Sequence, residues 1–433
     1  MPDESASVVV IGAGQAGLSV AYYLQRLGMR AGSDFLVLDR GPLAGGAWQN
    51  RWESLRLGSA HRVHDLPNMK ALDLSFDSAD RSRPARDVVV EYYARYEEFF
   101  DLRVRRPSQV TAVFDRGADL VLRSTTGDIV AQAVVNATGT WGAPFVPYYP
   151  GLQQFRGQQV HTATYSAAED FRGQRVLVVG GGTSAIGFLL ELEGVAQKTF
   201  WATRRPVDYM DHGTLSLEDA VTAVAAQDAA ARSGRALPSI VSGTGVPKTR
   251  RIAAGIARGV LDARPMFSRL EEDAVVWPDG SREPIDAIVW ATGFRPDVRH
   301  LSPLHLHEKE GGIVVATGAA ERDPRIFFAG YGPTASTVGA NRAGRVVARQ
   351  VFAAIGNRLP QPAPEPLPEP ALQPGPQSAP RQGRQAPAES GLPPQPARAR
   401  GSFRPATGEV PVSNRREEEK DAVSILARFF ADD

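Results

Sequence analysis

The sequence predicts an α/β protein that carries two dinucleotide-binding units, the second set inside the first, with a proline-rich tail behind them. Three observations carry the prediction. The apolar run at residues 7–11 (SVVVI) leads into Gly12-Ala-Gly14-Gln15-Ala16-Gly17, a GxGxxG turn between a strand and a helix. The pattern starts again near Arg175, where VLVVG leads into Gly180-Gly-Gly182-Thr183-Ser184-Ala185, a GxGxxA turn in which alanine still permits close helix packing. After Arg358 the composition changes abruptly: 15 of the chain's 33 prolines lie between Pro360 and Pro411, a density that no packed core tolerates.

Taken in order, residues 7–11 read as a buried strand, and residues 16–27 have helical spacing that Gly28 is placed to end. Residues 35–38 form a second buried strand, and 88–100 a helix. Between Val110 and Val135 three short alternating runs, parted by turn residues at 115–117 and 126–128, predict an antiparallel meander that ends in Asn136-Ala137-Thr138-Gly139. In the second unit the glycine turn is read as extending through Gly187, with a helix starting at Phe188 and a strand near 199–202. Residues 214–232 are alanine-rich and helical in composition, and 275–288 resemble a hairpin around Pro278-Asp-Gly280. Ala291-Thr292-Gly293 repeats the earlier tripeptide. A last strand at 326–329, a turn at 330–337 and a helix at 338–355 ending at Gly356 complete the folded part. Residues 417–430 form a short helix candidate, with Val423, Leu426 and Phe430 on one face.

The bulk composition narrows the function. A length of 433 residues favours two domains over one, and 42% hydrophobic with 22% charged residues is an ordinary globular balance. Forty-nine basic against forty-eight acidic residues leave a net charge of +1, which gives no electrostatic case for nucleic acid or an anionic membrane. The partners expected are small molecules. The chain has no cysteine, so disulfides, thiolate metal sites and CxxC redox relays are all excluded. Asp3 and Glu4 stand where a signal peptide needs basic residues, and glycines interrupt the first apolar stretch within the length of a membrane span. A cytoplasmic location is the expectation.

In the first fingerprint the backbone can approach a diphosphate whose charge meets the helix N-terminus. Asp39, with Arg40 beside it, ends the following strand, where a carboxylate accepts hydrogen bonds from an adenosine ribose. The second unit has no acid at that place but Thr203-Arg204-Arg205, and two guanidinium groups suit a 2′-phosphate better than a bare hydroxyl. NADPH is therefore expected over NADH, against the alternative of two solvated surface arginines. Two nucleotide sites in one chain suggest hydride transfer from nicotinamide to a flavin, with FAD on the first site and NADPH on the second.

These residues resemble the class B flavin monooxygenases and the broader flavin-containing monooxygenase-like group, from about Ser7 to Gly356. Phe155-Arg-Gly157-Gln-Gln-Val-His161-Thr-Ala-Thr-Tyr165 is similar to the family's FxGxxxHxxx(F/Y/W) signature. The resemblance implies that His161 organises the junction of the flavin and nicotinamide domains; the residue alone reads more readily as a structural histidine than as a functional one. Tyr165-Ser166 is similar to the N- and S-oxygenating branch more than to the Baeyer–Villiger pattern. Ala137-Thr138-Gly139 and Ala291-Thr292-Gly293-Phe-Arg-Pro296 resemble the two turns at which the chain crosses between domains. Gly45-Gly46-Ala-Trp48 with Arg51, Trp52, Ser54, Leu55 and Arg56 looks like the family's GGxW…SLRL segment along the flavin. Trp48 either covers the isoalloxazine or packs the core. Gly330-Tyr-Gly332 resembles a third flavin contact.

The resemblance implies a glutathione-reductase-like arrangement, with an FAD-binding domain at residues 1–160 and 291–358 and an NADPH-binding domain at 161–290; beyond it, composition and spacing predict a disordered linker at 359–414 and a short amphipathic helix at 415–433. The resemblance also implies a reaction in which dioxygen adds to reduced flavin and one oxygen is delivered to a nucleophilic nitrogen or sulfur. The sequence departs from the animal branch on the loop facing both cofactors, where Leu57-Gly-Ser59-Ala-His61-Arg-Val-His64 offers no matching asparagine. Ser59, His61 and His64 stand as substitute donors, each read equally as a loop residue hydrogen-bonded to backbone, and Ser59, His61 and His161 are the catalytic candidates. Two other readings remain open: an NADPH-dependent reductase or oxidase, and a nucleotide-loaded interaction protein that binds a partner through its tail. Self-association is open as well.

Overall fold

Both glycine fingerprints sit between a strand and a helix in the computed structural model, which describes residues 4–60, 63–210, 217–238, 245–335 and 337–356. These residues belong to one compact unit; the expected linker and terminal helix lie outside the described residues.

The first unit is built on β1 (Glu4–Ile11), α1 (Gln15–Arg26) and β2 (Phe35–Leu38). Alternate residues of β1 enter different cores: Val8 and Val10 pack under α1, α2 (Ala85–Phe99) and the closing helix Thr337–Ala354, while Val9 and Ile11 face the meander. A strand buried on both faces needs the unbroken apolar run seen here. Strands β3 (Val110–Arg116), β4 (Asp119–Ser124) and β5 (Gly127–Asn136) form the antiparallel meander, and β5 then runs parallel to β1. Ile326–Phe328 adds to the other side of β5. The closing helix crosses α1 at close range, since a Cβ at Gly344 would lie 2.5 Å from the Ser19 Cβ.

The second sheet is parallel throughout. Its central strands are β7 (Arg175–Val179) and Ala287–Trp290; β6 (Gln158–His161) pairs outside the latter, β8 (Lys198–Thr203) outside β7, and Ala263–Pro265 outside β8. Val176 and Val178 pack on α3 (Thr183–Leu192), whereas Leu177 and Val179 meet Phe155, Trp277 and Trp290 on the other face. Of the expected hairpin, Ala274–Val276 and Arg282–Pro284 pair antiparallel, and the chain then leaves to become the sheet's central strand.

One expectation is corrected. Helix α3 begins at Thr183, capped by Gly182 in extended conformation, and runs through Gly187 to Leu192. An interior glycine costs a helix only about 1 kcal/mol. Burial of Ala185, Ile186, Phe188, Leu189 and Leu192 outweighs that, and the early start places the free N–H groups of the first turn at the glycine loop.

No helix among the described residues is long and apolar enough to cross a membrane.

Candidate functional site: two glycine cradles and their crossing

A cavity of about 460 Å³ opens over the first fingerprint. Gly12 takes φ +103°, and a Cβ there would lie 2.6 Å from the Ala137 carbonyl oxygen; a Cβ at Gly17 would lie 1.8 Å from the Gly12 oxygen. Any side chain at these positions would push the loop off the strand behind it. Gly14 caps α1 without a side-chain acceptor, so the first-turn N–H groups stay available to an anion. Asp39 is buried, and its two carboxylate oxygens accept from Ala13 N at 2.7 Å and Gly41 N at 2.8 Å, which fixes the acid against the loop. Arg40 Nη1 pairs with Asp297 at 2.7 Å.

Of the sequence-selected residues, the cavity is lined by Gly12, Gly14, Gln15, Ala16, Asp39, Arg40, Gly46, Trp48, Ala137, Thr138, Gly139 and Gly330. Gly17 supports the loop from behind. Gln15 donates to the His64 carbonyl at 2.9 Å and to Asn341 Oδ1 at 3.3 Å, and accepts from Tyr93 OH at 3.2 Å, so it ties the loop at residue 64 to α1 and the closing helix. Arg56 and Ser59 are exposed; Ser59 donates to the Arg56 carbonyl at 3.1 Å, and neither lines the cavity. His61 lies outside the described residues.

The second fingerprint repeats the first. Gly180 takes φ +134°, and its Cβ would fall 2.2 Å from the Ala291 carbonyl oxygen, as Gly12 does against Ala137. Gly182, Thr183 and Ser184 lead into α3, Ala185 is fully buried beneath it, and Arg204 and Arg205 emerge exposed just past β8. Each Ala-Thr-Gly thus presses on the first glycine of a cradle. The segments that follow are bonded together: Phe145 N donates to Gly293 O at 3.0 Å, Arg295 N to Ala143 O at 2.8 Å and Asp297 N to Gly139 O at 2.9 Å. Thr292 also donates to the Phe145 carbonyl.

His161 is nearly buried at this crossing. Its Nε2 donates to Gly293 O at 3.1 Å, and its Nδ1 accepts from Ala163 N at 3.1 Å. Burial lowers its pKa, partly opposed by the Gly293 bond, so the ring is held neutral. Both nitrogens are occupied by backbone. His161, one of the catalytic candidates, lies at the crossing and does not line the cavity.

Several contributors stand outside the residues selected for the site. His300, pushed down to about 4 by burial, bonds Asn136 Oδ1 at 2.8 Å behind the first Ala-Thr-Gly. Glu191 on α3 accepts from Trp52 Nε1 at 3.0 Å, Ser54 Oγ at 2.9 Å and Tyr165 OH at 3.3 Å, joining the 51–57 loop to the second unit. Arg51, Trp141 and Phe294 line the cavity beside the first cradle.

This geometry has known counterparts. The flavin-containing monooxygenase of Stenotrophomonas maltophilia superposes with a TM-score of 0.67 at 33% identity, over 81% of this chain and 99% of that one. The chain belongs to the flavin monooxygenase family. The family model described as pyridine nucleotide-disulphide oxidoreductase matches residues 9–217. Disulfide chemistry by the chain's own thiols is excluded, because it has no cysteine. Among curated relatives, the uncharacterized oxidoreductase CzcO of Bacillus velezensis is 27% identical over 46% of this chain and 55% of its own length. The probable indole-3-pyruvate monooxygenase YUCCA7 of Arabidopsis thaliana is 33% identical over 42% and 43%. The chain spans about half the length of the curated relatives it matches.

FAD and NADPH are the cofactors of the flavin monooxygenase family, and the residues present fit both. At the first cradle a Cβ at Gly12 or Gly46 would meet backbone at 2.6 Å, the first turn of α1 opens onto the cavity, and a buried guanidinium nitrogen of Arg51 has no partner. At the second, the loop, the α3 N-terminus and the Arg204–Arg205 pair are the parts a phosphorylated nicotinamide nucleotide requires.

Proposed function

We propose that the chain is an NADPH-dependent flavin monooxygenase that transfers one oxygen atom to a small nucleophilic nitrogen or sulfur compound. FAD, when bound, accepts the hydride of NADPH and passes the electrons to dioxygen. The balance is substrate plus O₂, NADPH and H⁺ giving oxygenated substrate, H₂O and NADP⁺. The observation that carries the reading is the doubled cradle, an anion-binding helix start pressed against an Ala-Thr-Gly turn at both fingerprints, in a chain without cysteine to receive electrons.

The protein's part is binding and orientation. Asp39 holds the first loop and offers its remaining lone pairs to a ribose, Gly12 and Gly180 let backbone reach the two diphosphates, and Arg204 and Arg205 receive the 2′-phosphate. His161 keeps the crossing in register, and Gln15 anchors the backbone at His64. The N- and S-oxygenating reading also agrees with senecionine N-oxygenase of Tyria jacobaeae being a relative, 26% identical over 44% of this chain. Residues past 358 take part in assembly with a protein partner in the cytoplasm; truncation there leaves NADPH oxidation unchanged and removes any co-purifying protein.

The test is stoichiometry under ¹⁸O₂ with tertiary amine and thioether substrates. One labelled oxygen in product per NADPH supports the proposal. Quantitative hydrogen peroxide with every substrate tried refutes it in favour of an oxidase.

A further inference from the structure

We propose that Arg51 binds the diphosphate of FAD, supplying a cation to a cradle otherwise made of backbone. The inference rests on the assignment of the cavity over the first fingerprint to FAD. Arg51 lines that cavity, and its guanidinium carbon lies 4.2 Å from the centre of the Trp141 ring and 5.5 Å from that of Trp48. Trp141 is itself stacked on Phe294 at 4.9 Å and 24°, so the indole that supports the guanidinium is fixed from behind.

Arg51 is largely withdrawn from solvent and has no counter-ion among the described residues. Its Nε is out of contact with water and makes no hydrogen bond, and no carboxylate among the described residues pairs with it. Burial lowers its pKa to about 10, which still leaves it fully charged at neutral pH. Placing a guanidinium against two aromatic rings without a carboxylate is costly in the free chain unless an anion completes the site. The other cations of the cavity differ: Arg40 is paired with Asp297, and Arg299 is exposed.

The location selects the diphosphate over the flavin ring. Gly46 abuts the phosphate loop so closely that its Cβ would lie 2.6 Å from the Gly14 Cα. A short 3₁₀ helix, Gly46–Asn50, then delivers Arg51 directly from that contact. A diphosphate carries its charge in both redox states, and the guanidinium fork matches two phosphate oxygens. The isoalloxazine is uncharged when oxidised.

The experiment strips FAD from the full chain and titrates it back into wild type, Arg51→Met and Arg51→Lys, following flavin fluorescence, with thermal unfolding of each apoprotein in parallel. Arg51→Met should weaken FAD by about 10- to 100-fold while its apoprotein unfolds no earlier than wild type, because an unpaired buried charge has been removed. Arg51→Lys should recover part of the affinity, and raised salt should weaken wild type more than Arg51→Met. Unchanged FAD affinity in Arg51→Met, or a loss matched by collapse of its apoprotein with no recovery in Arg51→Lys, overturns the inference. A wild-type chain that binds no FAD overturns the assignment of the cavity, and this inference with it.

Discussion

Replacing Glu191 tests whether the two cradles are held in register by one carboxylate. Glu191 sits on α3, the helix that starts at the second fingerprint, and accepts from Trp52 and Ser54 on the 51–57 loop and from Tyr165. Trp52 and Tyr165 are almost completely buried, so Glu191→Leu leaves an indole N–H and a phenol O–H without partners. Each orphaned buried donor costs about 1–3 kcal/mol; the 3.3 Å phenol bond belongs at the low end, and the exposed Ser54 adds little. The expected loss is about 2–4 kcal/mol, with Glu191→Gln losing about 1 kcal/mol because it keeps an acceptor. Chemical denaturation gives the stability, and a double-mutant cycle with Trp52→Phe should return a coupling of about 1–2 kcal/mol. Stopped-flow reduction by NADPH should slow in Glu191→Leu more than NADPH affinity falls, since the loops separate while each cradle survives. Stability and reduction rate both equal to wild type in Glu191→Leu would refute the reasoning.

Alanine at both Arg204 and Arg205 should raise the KM for NADPH by about 10- to 100-fold and leave that for NADH nearly unchanged; equal effects on the two nucleotides would remove the phosphate-binding role. Gly180→Ala, which forces a Cβ to 2.2 Å from the Ala291 oxygen at φ +134°, should weaken NADPH by roughly 10-fold or more while FAD remains bound, and isothermal titration against the visible flavin spectrum separates the two. His300, pushed down to about 4 by burial, contributes stability that is fully present above its unfolded pKa near 6.5 and is lost as pH falls through 4, because only the unfolded chain takes up the proton in that window. The loss should approach about 3 kcal/mol, and denaturant midpoints measured from pH 7 to 4 should be flatter in His300→Gln; an equal slope would show that another group titrates.

What was legible in the sequence was set by local backbone demands. Gly12 and Gly180 need a positive φ and a missing Cβ, and that requirement leaves a glycine wherever the chain is read. The unbroken apolar runs of β1 and β7 follow from burial on both faces in the same way. The late start assigned to α3 came from giving Gly187 a turn's meaning, where tertiary burial of Ile186 and Phe188 decides the outcome. Pairs distant in the chain left no such trace. His300 with Asn136 and Glu191 with Trp52 are each separated by more than a hundred residues, and neither end constrains its own neighbourhood. Arg51 stood inside a readable segment, yet its lack of a carboxylate is a property of the folded cavity alone.

The two Ala-Thr-Gly turns do more than end strands. In each, the alanine carbonyl occupies the space that a side chain on the first fingerprint glycine would need, so strand, phosphate loop and crossing segment form one steric unit. Because residues 139–145 and 293–297 are hydrogen-bonded to one another, the floor of one cradle continues through paired backbone into the floor of the other. His161 adds a side-chain tie at Gly293, whose carbonyl also accepts from Phe145 N. Movement of one nucleotide-binding unit against the other must therefore bend this ribbon or break its bonds, and a substitution at His161 acts on both cofactors without touching either. His161→Ala should shift FAD and NADPH affinities together, and an effect confined to one nucleotide would place the histidine in that site instead.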